Sequence, residues 1–376
     1  MGYINFNNAG SSFPEKTTLS IIKSYLENEK KIGGYLAEVI YKKEIGRFYV
    51  ELSKLINSKA KEISFVQSST HALSFFIDSI NFSKNENVII FDNEYGSNYL
   101  SILNKKINYK VCSLEKNGQV SLSDLQKKID KNTKMIFLCH VASQCGDIIN
   151  VEEVGKLIKK INQNIIFVLD VCQSIGQKEI DVKKIKCDVL FGSGRKYLRG
   201  PRGTGFIYLN SNLKNKITPS LLDSKNALIK NKGYKIKKNN YPFEAFEYSP
   251  ALKLGLSNAI YEVNKIGIKK IEKKIKELSF FLRSYPFDYR KIKFYENINF
   301  LSGINTFSIK GFSSSEVSNF LLDKGILSSI SNNQTSIHYF KKKKITDVNR
   351  VSFHYYNSFR EVKFLIKCLI DLIKNK

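Results

Sequence analysis

Two polar residues at the ends of successive apolar segments could do covalent chemistry together. Asp170 ends the run IIFVLD, and Lys196 follows the next apolar run, within FGSGRKYLRGPRGTG (191–205). A carboxylate at the end of a buried strand needs a partner, and glycines around a lysine let the backbone approach an anion closely. The glycine-rich stretch could therefore be a basic surface loop, a phosphate-binding loop or the frame for one reactive lysine.

An acid at one strand end and a lysine at the next suit the cofactor pyridoxal 5'-phosphate (PLP). The lysine can hold this cofactor as a Schiff base, and the carboxylate can keep the pyridine nitrogen protonated so that the ring accepts electrons. Ser193 and Arg195 could bind the phosphate, and burial together with the charge of Arg195 would lower the pKa of Lys196. On these positions alone, Asp170 could equally cap a turn and Lys196 could lie on the surface.

Short β-branched and aromatic runs alternate with helical patterns along the first two thirds of the chain. We predict strands at 63–66, 88–91, 109–114, 135–139, 165–170, 187–191 and 205–209, and helices at 70–80, 121–129 and 151–161. This alternation predicts an α/β fold whose mainly parallel sheet is covered on both faces. In such sheets ligands bind at the carboxyl ends of the strands, where Asp170 and Lys196 lie.

The pattern changes after Pro250. We predict one long helix at 251–283, then further helices at 313–323 and 358–374 and strands at 304–309, 326–330 and 349–354. The sequence thus predicts a large α/β domain over residues 16–250, a small α+β domain over residues 251–376, and an N-terminal segment, 1–15, that joins them.

Composition limits the class of protein. The chain has 376 residues and a net charge of +27, but its basic residues are spread throughout, so we expect no nucleic-acid partner despite the charge. Its most apolar stretch is too short to span a bilayer and no secretory pattern stands at the N-terminus, so we expect a cytoplasmic protein without a membrane partner. Six cysteines without a CxxC pair predict reduced thiols and no metal site.

Several short motifs occur in the order found in one enzyme family. They are NNAGSS (7–12), SSTHAL (68–73), NEYGSN (93–98), HVASQCG (140–146), the run 168–209, FEAFEYSPALKLGL (243–256) and RVSFHYYNS (350–358). With them the chain resembles the class V aminotransferase family, fold-type-I PLP enzymes that include cysteine desulfurases, isopenicillin N epimerase-like proteins and ergothioneine-type C–S lyases. The resemblance implies PLP as cofactor, the PLP-dependent transferase fold of type I with a seven-stranded sheet, and a homodimer.

The resemblance also implies roles for single residues. Lys196 would hold the cofactor and Asp170 would contact its pyridine nitrogen. Gln173 would bind the phenolic oxygen, and Tyr95 would stack on the ring. The implied phosphate ligands are Ser69, Thr70, Ser193 and Arg195.

Other matched positions concern the substrate and departures from the family pattern. Arg350 would bind the substrate carboxylate with its planar fork, and Asn8 lies in the segment that the family folds over the substrate. Ser143 stands where desulfurases carry an asparagine near the phenolic oxygen. Glu247 replaces a threonine that reaches the partner's phosphate, and we expect it to pair with an arginine such as Arg199 or Arg202.

The loop 328–340 contains no cysteine, although a desulfurase of this family uses a mobile thiol there. We therefore expect that the chain is not a cysteine desulfurase acting through a loop cysteine. The leading hypothesis is an enzyme that acts on an amino-acid substrate through an external aldimine and deprotonation of Cα by Lys196, as a C–S lyase by β-elimination. The alternatives are an aminotransferase, an amino-acid epimerase, and a non-catalytic basic protein that binds nucleic acid on a PLP-like scaffold. The presence of Lys196, Asp170 and Arg350 argues against the last of these.

Overall fold

The computed structural model describes residues 2–214, 216–237 and 241–374. The strands, in chain order, are β1 (Ile4–Asn5), β2 (Ile63–Val66), β3 (Asn87–Phe91), β4 (Asn108–Cys112), β5 (Thr133–Cys139), β6 (Ile166–Asp170), β7 (Val189–Ser193), β8 (Gly205–Leu209), β9 (Ala227–Lys230), β10 (Gly233–Ile236), β11 (Ile292–Phe294), β12 (Ile304–Ile309), β13 (Ile326–Leu327), β14 (Ser329–Asn332) and β15 (Asp347–Ser352).

The helices are α1 (Lys16–Ile32), α2 (Gly34–Ile40), α3 (Lys42–Ile56), α4 (Ser69–Asp78), α5 (Gly96–Asn104), α6 (Leu122–Lys128), α7 (Val151–Ile161), α8 (Val182–Ile185), α9 (Ser211–Lys214), α10 (Pro250–Ile266), α11 (Ile268–Arg283), α12 (Ser314–Asp323), α13 (Ile337–Lys343) and α14 (Phe359–Lys374). Short 3-10 helices lie at Ala60–Glu62 and Ile298–Phe300. No helix in the three described stretches is long and apolar enough to cross a bilayer.

A seven-stranded sheet forms the centre of the molecule, with the strands in the spatial order β2-β8-β7-β6-β5-β3-β4. Strand β8 runs antiparallel to both of its neighbours, and the other adjacent pairs are parallel. The predicted α/β fold with a mainly parallel sheet is confirmed.

Apolar side chains cover both faces of this sheet, as β5 illustrates. Successive residues of a strand point to opposite faces. Ile136 and Leu138 pack into one apolar cluster, and Met135 and Phe137 pack into another. Because helices cover both faces, each central strand needs apolar side chains on both sides, which explains the continuous apolar runs in the sequence.

A second sheet follows the large one. Its strands are antiparallel in the order β11-β12-β15-β14, and α11, α12 and α14 contribute side chains to its core. The N-terminal segment joins this part of the molecule because β1 pairs with β13. The domain boundary at residue 250 stays a prediction, and residues 1, 215, 238–240 and 375–376 within the proposed ranges lie outside the described residues.

The helical pattern over 251–283 forms two helices, contrary to the prediction of one. Helix α10 ends at Ile266 and α11 begins at Ile268. Gly267 lies between them with φ of 90°, which an α-helix cannot accommodate. The structure also contains α1 to α3 before the first strand of the large sheet, which the sequence patterns did not indicate.

Candidate active site

A cavity of about 270 Å³ lies at the carboxyl ends of β5, β6 and β7. Its walls include every residue that the sequence assigned to the cofactor: Ser69, Thr70, Tyr95, Ser143, Asp170, Gln173, Ser193, Arg195 and Lys196. The strand order explains this, because β6 lies between β5 and β7 and the loops after these strands meet at one edge. The individual contacts of these residues with a cofactor stay predictions.

The glycine-rich stretch after β7 folds into a compact loop that holds Lys196. The Gly194 amide donates to the Thr204 carbonyl at 2.9 Å, and the Gly200 amide donates to the Gly194 carbonyl at 2.8 Å. Lys196 is only 9% exposed, and its Nζ lies 6.0 Å from the centroid of the Tyr95 ring. The loop is therefore a frame for a buried lysine rather than a solvated basic surface.

Burial lowers the pKa of Lys196 from its usual range. Cys172 and Asp170 act in the opposite direction, while the charges of Arg195 and Arg350 lower the pKa further. No ion pair of the Lys196 amine occurs among the residues for which the structure gives positions. A buried amine of this kind can be neutral and so can act as a nucleophile or a base.

Asp170 is fixed by hydrogen bonds to both of its carboxylate oxygens. Oδ1 accepts from the backbone amide of Cys172 at 2.8 Å, and Oδ2 accepts from Nδ2 of Asn98 at 2.9 Å. The side chain is buried and lines the same cavity as Lys196. Asp170 thus holds a defined orientation at the end of β6, as a partner of a cationic group would need.

The sequence reasoning missed two residues behind Asp170. Nδ2 of Asn98 also donates to Oε1 of Glu94 at 2.8 Å, so one amide links the two carboxyls. Glu94 and Asn98 lie on either side of Tyr95 in the motif NEYGSN. Their four-residue spacing was the available signal, because residues so placed meet at the start of a helix.

The first turn of α4 provides an anion-binding end to the cavity. Ser68 caps this helix, since its Oγ accepts from the His71 amide at 3.1 Å. Ser69 and Thr70 occupy the first two helical positions, and Ser193 Oγ donates to Ser69 Oγ at 3.0 Å. Amides at a helix N-terminus favour a phosphate, and Arg195 adds a cation to the same cavity.

Gln173 offers a test of whether PLP fits this cavity. Its Nε2 donates to the Ala9 carbonyl at 3.1 Å, whereas its Oε1 is buried without a partner in the described chain. A buried polar atom without a partner is typical of a place that a ligand or water completes. Together with an unpaired lysine, an oriented aspartate and a helix N-terminus, it makes a set of groups that fits PLP.

Arg350 lies on β15 beside the cavity and is 8% exposed. Its Nη1 donates to the Ser143 carbonyl at 2.9 Å, its Nε donates to Ser329 Oγ at 3.0 Å, and its Nη2 is 3.4 Å from Oδ1 of Asn7. No carboxylate pairs with it within the described ranges. Its assignment to the substrate carboxylate stays a prediction.

Asn8 and Glu247 are not among the residues that line the cavity. The Asn8 amide is fully buried, donates to the Asn5 and Ser352 carbonyls at 3.0 and 2.7 Å, and is absent from the cavity wall. Its contact with a substrate stays a prediction. The expected pairing of Glu247 with an arginine such as Arg199 or Arg202 is wrong for the described residues. Glu247 is exposed and forms no ion pair with either arginine there, and Arg199 pairs with Glu15 instead.

The chain is similar to proteins and structures of known class. A probable cysteine desulfurase from Pyrococcus abyssi is 31% identical over 86% of this chain and 82% of its own. The apo structure of the cysteine desulfurase from Thermococcus onnurineus NA1 superimposes with a TM-score of 0.91 at 25% identity, covering 100% of this chain and 95% of that one. A C-DES mutant with glycine covalently linked to the PLP cofactor shares the fold, with a TM-score of 0.87 at 16% identity over 98% of this chain and 96% of its own.

These similarities correct one expectation. The exclusion of cysteine desulfurase activity is wrong, because the relative from Pyrococcus abyssi, two further relatives and the structural neighbour from Thermococcus onnurineus are named cysteine desulfurases or probable cysteine desulfurases. That expectation considered only a thiol in the loop 328–340. Two other thiols, Cys139 and Cys172, line the cavity that contains Lys196, so the lack of a loop cysteine does not leave the site without a thiol.

The family follows from the match to a family model. The model described as aminotransferase class-V matches residues 4–365, nearly the whole chain. This agrees with the site, where the groups that suit PLP meet at the carboxyl ends of the parallel strands. The chain belongs to the class V aminotransferase family of PLP-dependent enzymes.

Proposed function

We propose that this PLP-dependent enzyme cleaves the C–S bond of an amino acid that has a free α-carboxylate, by β-elimination. The observation that carries the proposal is the buried, unpaired amine of Lys196 in one cavity with the oriented carboxylate of Asp170. The sulfur chemistry is supported by the relative from Pyrococcus abyssi, which is named a probable cysteine desulfurase.

Arg350 is the proposed site for the substrate carboxylate. Hydrogen bonds to the Ser143 carbonyl and to Ser329 Oγ hold its guanidinium in place before a substrate arrives. A planar guanidinium can bind a carboxylate through two parallel hydrogen bonds. Because Arg350 is buried, this attraction is less screened by water than a surface ion pair would be.

Lys196 is the proposed base that takes the proton from the substrate Cα. Its lowered pKa favours the neutral amine, which can accept a proton at Nζ. When bound, PLP supplies an electron sink that stabilises negative charge at Cα. Asp170 contributes a fixed negative charge at the end of β6, and burial of both side chains keeps water away from them.

A second candidate function is cysteine desulfuration, in which sulfur passes from the substrate to a protein thiol and alanine is released. The relatives' names favour it, as does the position of Cys139 and Cys172 in the cavity wall. Burial raises the pKa of the Cys172 thiol to about 12, with Asp170 adding to this effect. A sulfur transfer to Cys172 would therefore require a group that removes the thiol proton.

The products distinguish these functions. We would incubate the PLP-loaded enzyme with L-cysteine, cystine and cysteine S-conjugates. Pyruvate and ammonia in equal amounts indicate elimination, alanine with a protein persulfide indicates desulfuration, a keto acid other than pyruvate indicates transamination, and the D-isomer indicates epimerisation. The proposal is wrong if none of the sulfur substrates gives pyruvate.

Lys196→Ala is the matched control for this experiment. We expect the variant to lose product formation and the covalent attachment of the cofactor, which borohydride reduction and mass spectrometry detect. Reduced, covalently attached cofactor in Lys196→Ala would show that another amine binds it. Arg350→Ala should keep the attachment and lose substrate binding.

The proposal also includes the oligomeric state, the location and the partners of the protein. On the family resemblance we propose a homodimer, and on the sequence we propose a cytoplasmic protein that does not bind nucleic acid. Sedimentation of the purified protein tests the dimer. Tight, strongly salt-dependent binding to DNA would contradict the statement on nucleic acid and would favour the non-catalytic alternative.

A further inference from the structure

A second buried carboxyl lies behind Asp170. Glu94 lies between β3 and α5 and is 3% exposed. Its Oε1 accepts hydrogen bonds from the Tyr95 amide at 2.9 Å, from Nδ2 of Asn98 at 2.8 Å and from the Cys139 thiol at 3.3 Å. Its Oε2 is buried without a partner, and no ion pair of Glu94 occurs in the described part of the chain.

The amide of Asn98 connects Glu94 to Asp170. Its Nδ2 donates to Oε1 of Glu94 at 2.8 Å and to Oδ2 of Asp170 at 2.9 Å. An amide nitrogen has two hydrogens, so this pair of bonds uses both of them. The orientation of Asn98, and with it one of the two bonds that fix Asp170, therefore depends on Glu94.

The two carboxyls cannot both be ionised without a large cost. An ionised Glu94 would place negative charge on Oε2, which no donor contacts, close to the carboxylate of Asp170. Burial raises the pKa of Glu94 to about 7, and the charge of Asp170 adds to this effect. The titratable groups that face Glu94 are Asp170 on β6 and Cys139 on β5, and burial keeps Cys139 a neutral thiol by raising its pKa.

We propose that Glu94 is a positioning residue that is protonated below neutral pH and, through Asn98, holds Asp170 as the single negative charge of this carboxyl pair. The proposal rests on the proposed function in one respect, namely that Asp170 faces the cofactor ring. Ionisation of Glu94 would add a second negative charge behind Asp170. It would thereby increase the proton affinity of a cofactor nitrogen that Asp170 contacts and change the cofactor's absorption spectrum.

The test compares the PLP-loaded wild type with Glu94→Gln and Glu94→Ala. Glutamine is neutral and has the same shape, so it reproduces the protonated carboxyl, whereas alanine leaves Asn98 without its partner. The first measurement is the visible spectrum of the bound cofactor as a function of pH. We expect the wild type to show a transition near pH 7, the pKa to which burial raises Glu94, and we expect Glu94→Gln to lack it.

The second measurement is the dissociation constant of PLP. We expect Glu94→Gln to stay within about threefold of the wild type, and Glu94→Ala to bind roughly tenfold more weakly because a buried hydrogen bond is lost. The third is the infrared difference between wild type and Glu94→Gln below pH 7, which should contain the carbonyl band of a protonated carboxyl. Glu94→Gln needs no cavity to be refilled, so it remains informative if Glu94→Ala does not fold.

Two results would overturn the inference while leaving the proposed function intact. One is a spectral transition in Glu94→Gln that matches the wild type, and the other is a loss of PLP affinity in Glu94→Gln as large as that in Glu94→Ala. If the wild type itself binds no PLP, the proposed function and this inference fail together. The two kinds of failure are therefore distinguishable from one set of titrations.

Discussion

Substitution of Gly176 tests whether the turn after β6 holds the backbone around Lys196 in place. Gly176 lies in this turn, has φ of 87°, and packs against the backbone of Tyr197, the residue after Lys196. A Cβ at position 176 would lie 2.4 Å from the Tyr197 carbonyl oxygen and 2.5 Å from its carbonyl carbon. Gly176→Ala therefore introduces both a strained backbone angle and an overlap with the chain that carries Lys196.

The magnitude follows from these two effects. A residue with a side chain costs about 1–2 kcal/mol when φ is positive. Overfilling a packed region costs about 1–3 kcal/mol more, and here the overlap is with backbone atoms that cannot rotate away. We expect Gly176→Ala to lower the free energy of unfolding by about 2–5 kcal/mol in all.

Gly267→Ala is the matched control, because Gly267 has φ of 90° and no atom within 4 Å of its Cβ position. It should cost only the strain of about 1–2 kcal/mol. The assay is urea denaturation of both variants and the wild type at one PLP concentration, with the free energy taken from the midpoint and the slope. Gly176→Ala should also bind PLP more weakly, and Gly267→Ala should not.

Equal stability of the two glycine variants would contradict this prediction, since the overlap would then cost nothing. Strong destabilisation of Gly176→Ala together with wild-type PLP affinity would also contradict it, since the turn would then have no effect on the position of Lys196.

Three further predictions concern the substrate, the pH dependence and the cofactor ring. Arg350→Lys should lower kcat/KM about 10- to 100-fold, because lysine keeps the charge but cannot form the bidentate contact with a carboxylate. An unchanged melting temperature would confirm that the substitution does not affect folding. Burial raises the pKa of Asp147 from 3.8 to about 7, so the folded state binds this proton more tightly than the unfolded state. The resulting stabilisation is present at low pH and is lost as the pH rises towards 7. Asp147→Asn should therefore show a weaker decline of melting temperature over that range, while its side-chain oxygen still accepts from the Asn297 amide. Tyr95→Phe should keep PLP affinity, whereas Tyr95→Ala should weaken it roughly 2- to 10-fold through loss of the aromatic face, as a fluorescence titration would measure.

The strands of the large sheet could be predicted because the apolar pattern that identifies each strand lies within the strand itself. A strand that is buried on both faces is a short continuous apolar run, whatever the direction of its neighbours. Residues 205–209 and 63–66 therefore matched β8 and β2 to the residue. The helix predicted over 251–283 failed because apolar residues continue at helical spacing through Gly267. Spacing alone does not report the backbone angle that ends α10.

The residues of the site also fall into two groups, those that the sequence predicted and those that it did not. Asp170 and Lys196 stand at strand ends, and that position alone brings them to one edge of the sheet. Asn98 matters because α5 brings it against Asp170 on β6, a contact between segments far apart in the sequence, and Glu94 matters because it binds the same amide. The mistaken exclusion of desulfurase activity had a similar origin, since the cavity position of Cys139 and Cys172 depends on how β5 and the turn after β6 pack together.

The first residues of the chain link two parts of the molecule at once. The Ala9 carbonyl holds the Gln173 amide, the Ala9 amide bonds to Ser352 Oγ, and β1 adds an edge beside β13. Removing residues 2–10, by proteolysis or by a shortened expression clone, would leave Gln173 without the hydrogen bond that its Nε2 now donates, while its Oε1 already lacks a partner in the described chain. Loss of that segment would thus damage the cofactor pocket from a distance in sequence, although no residue in it carries a charge.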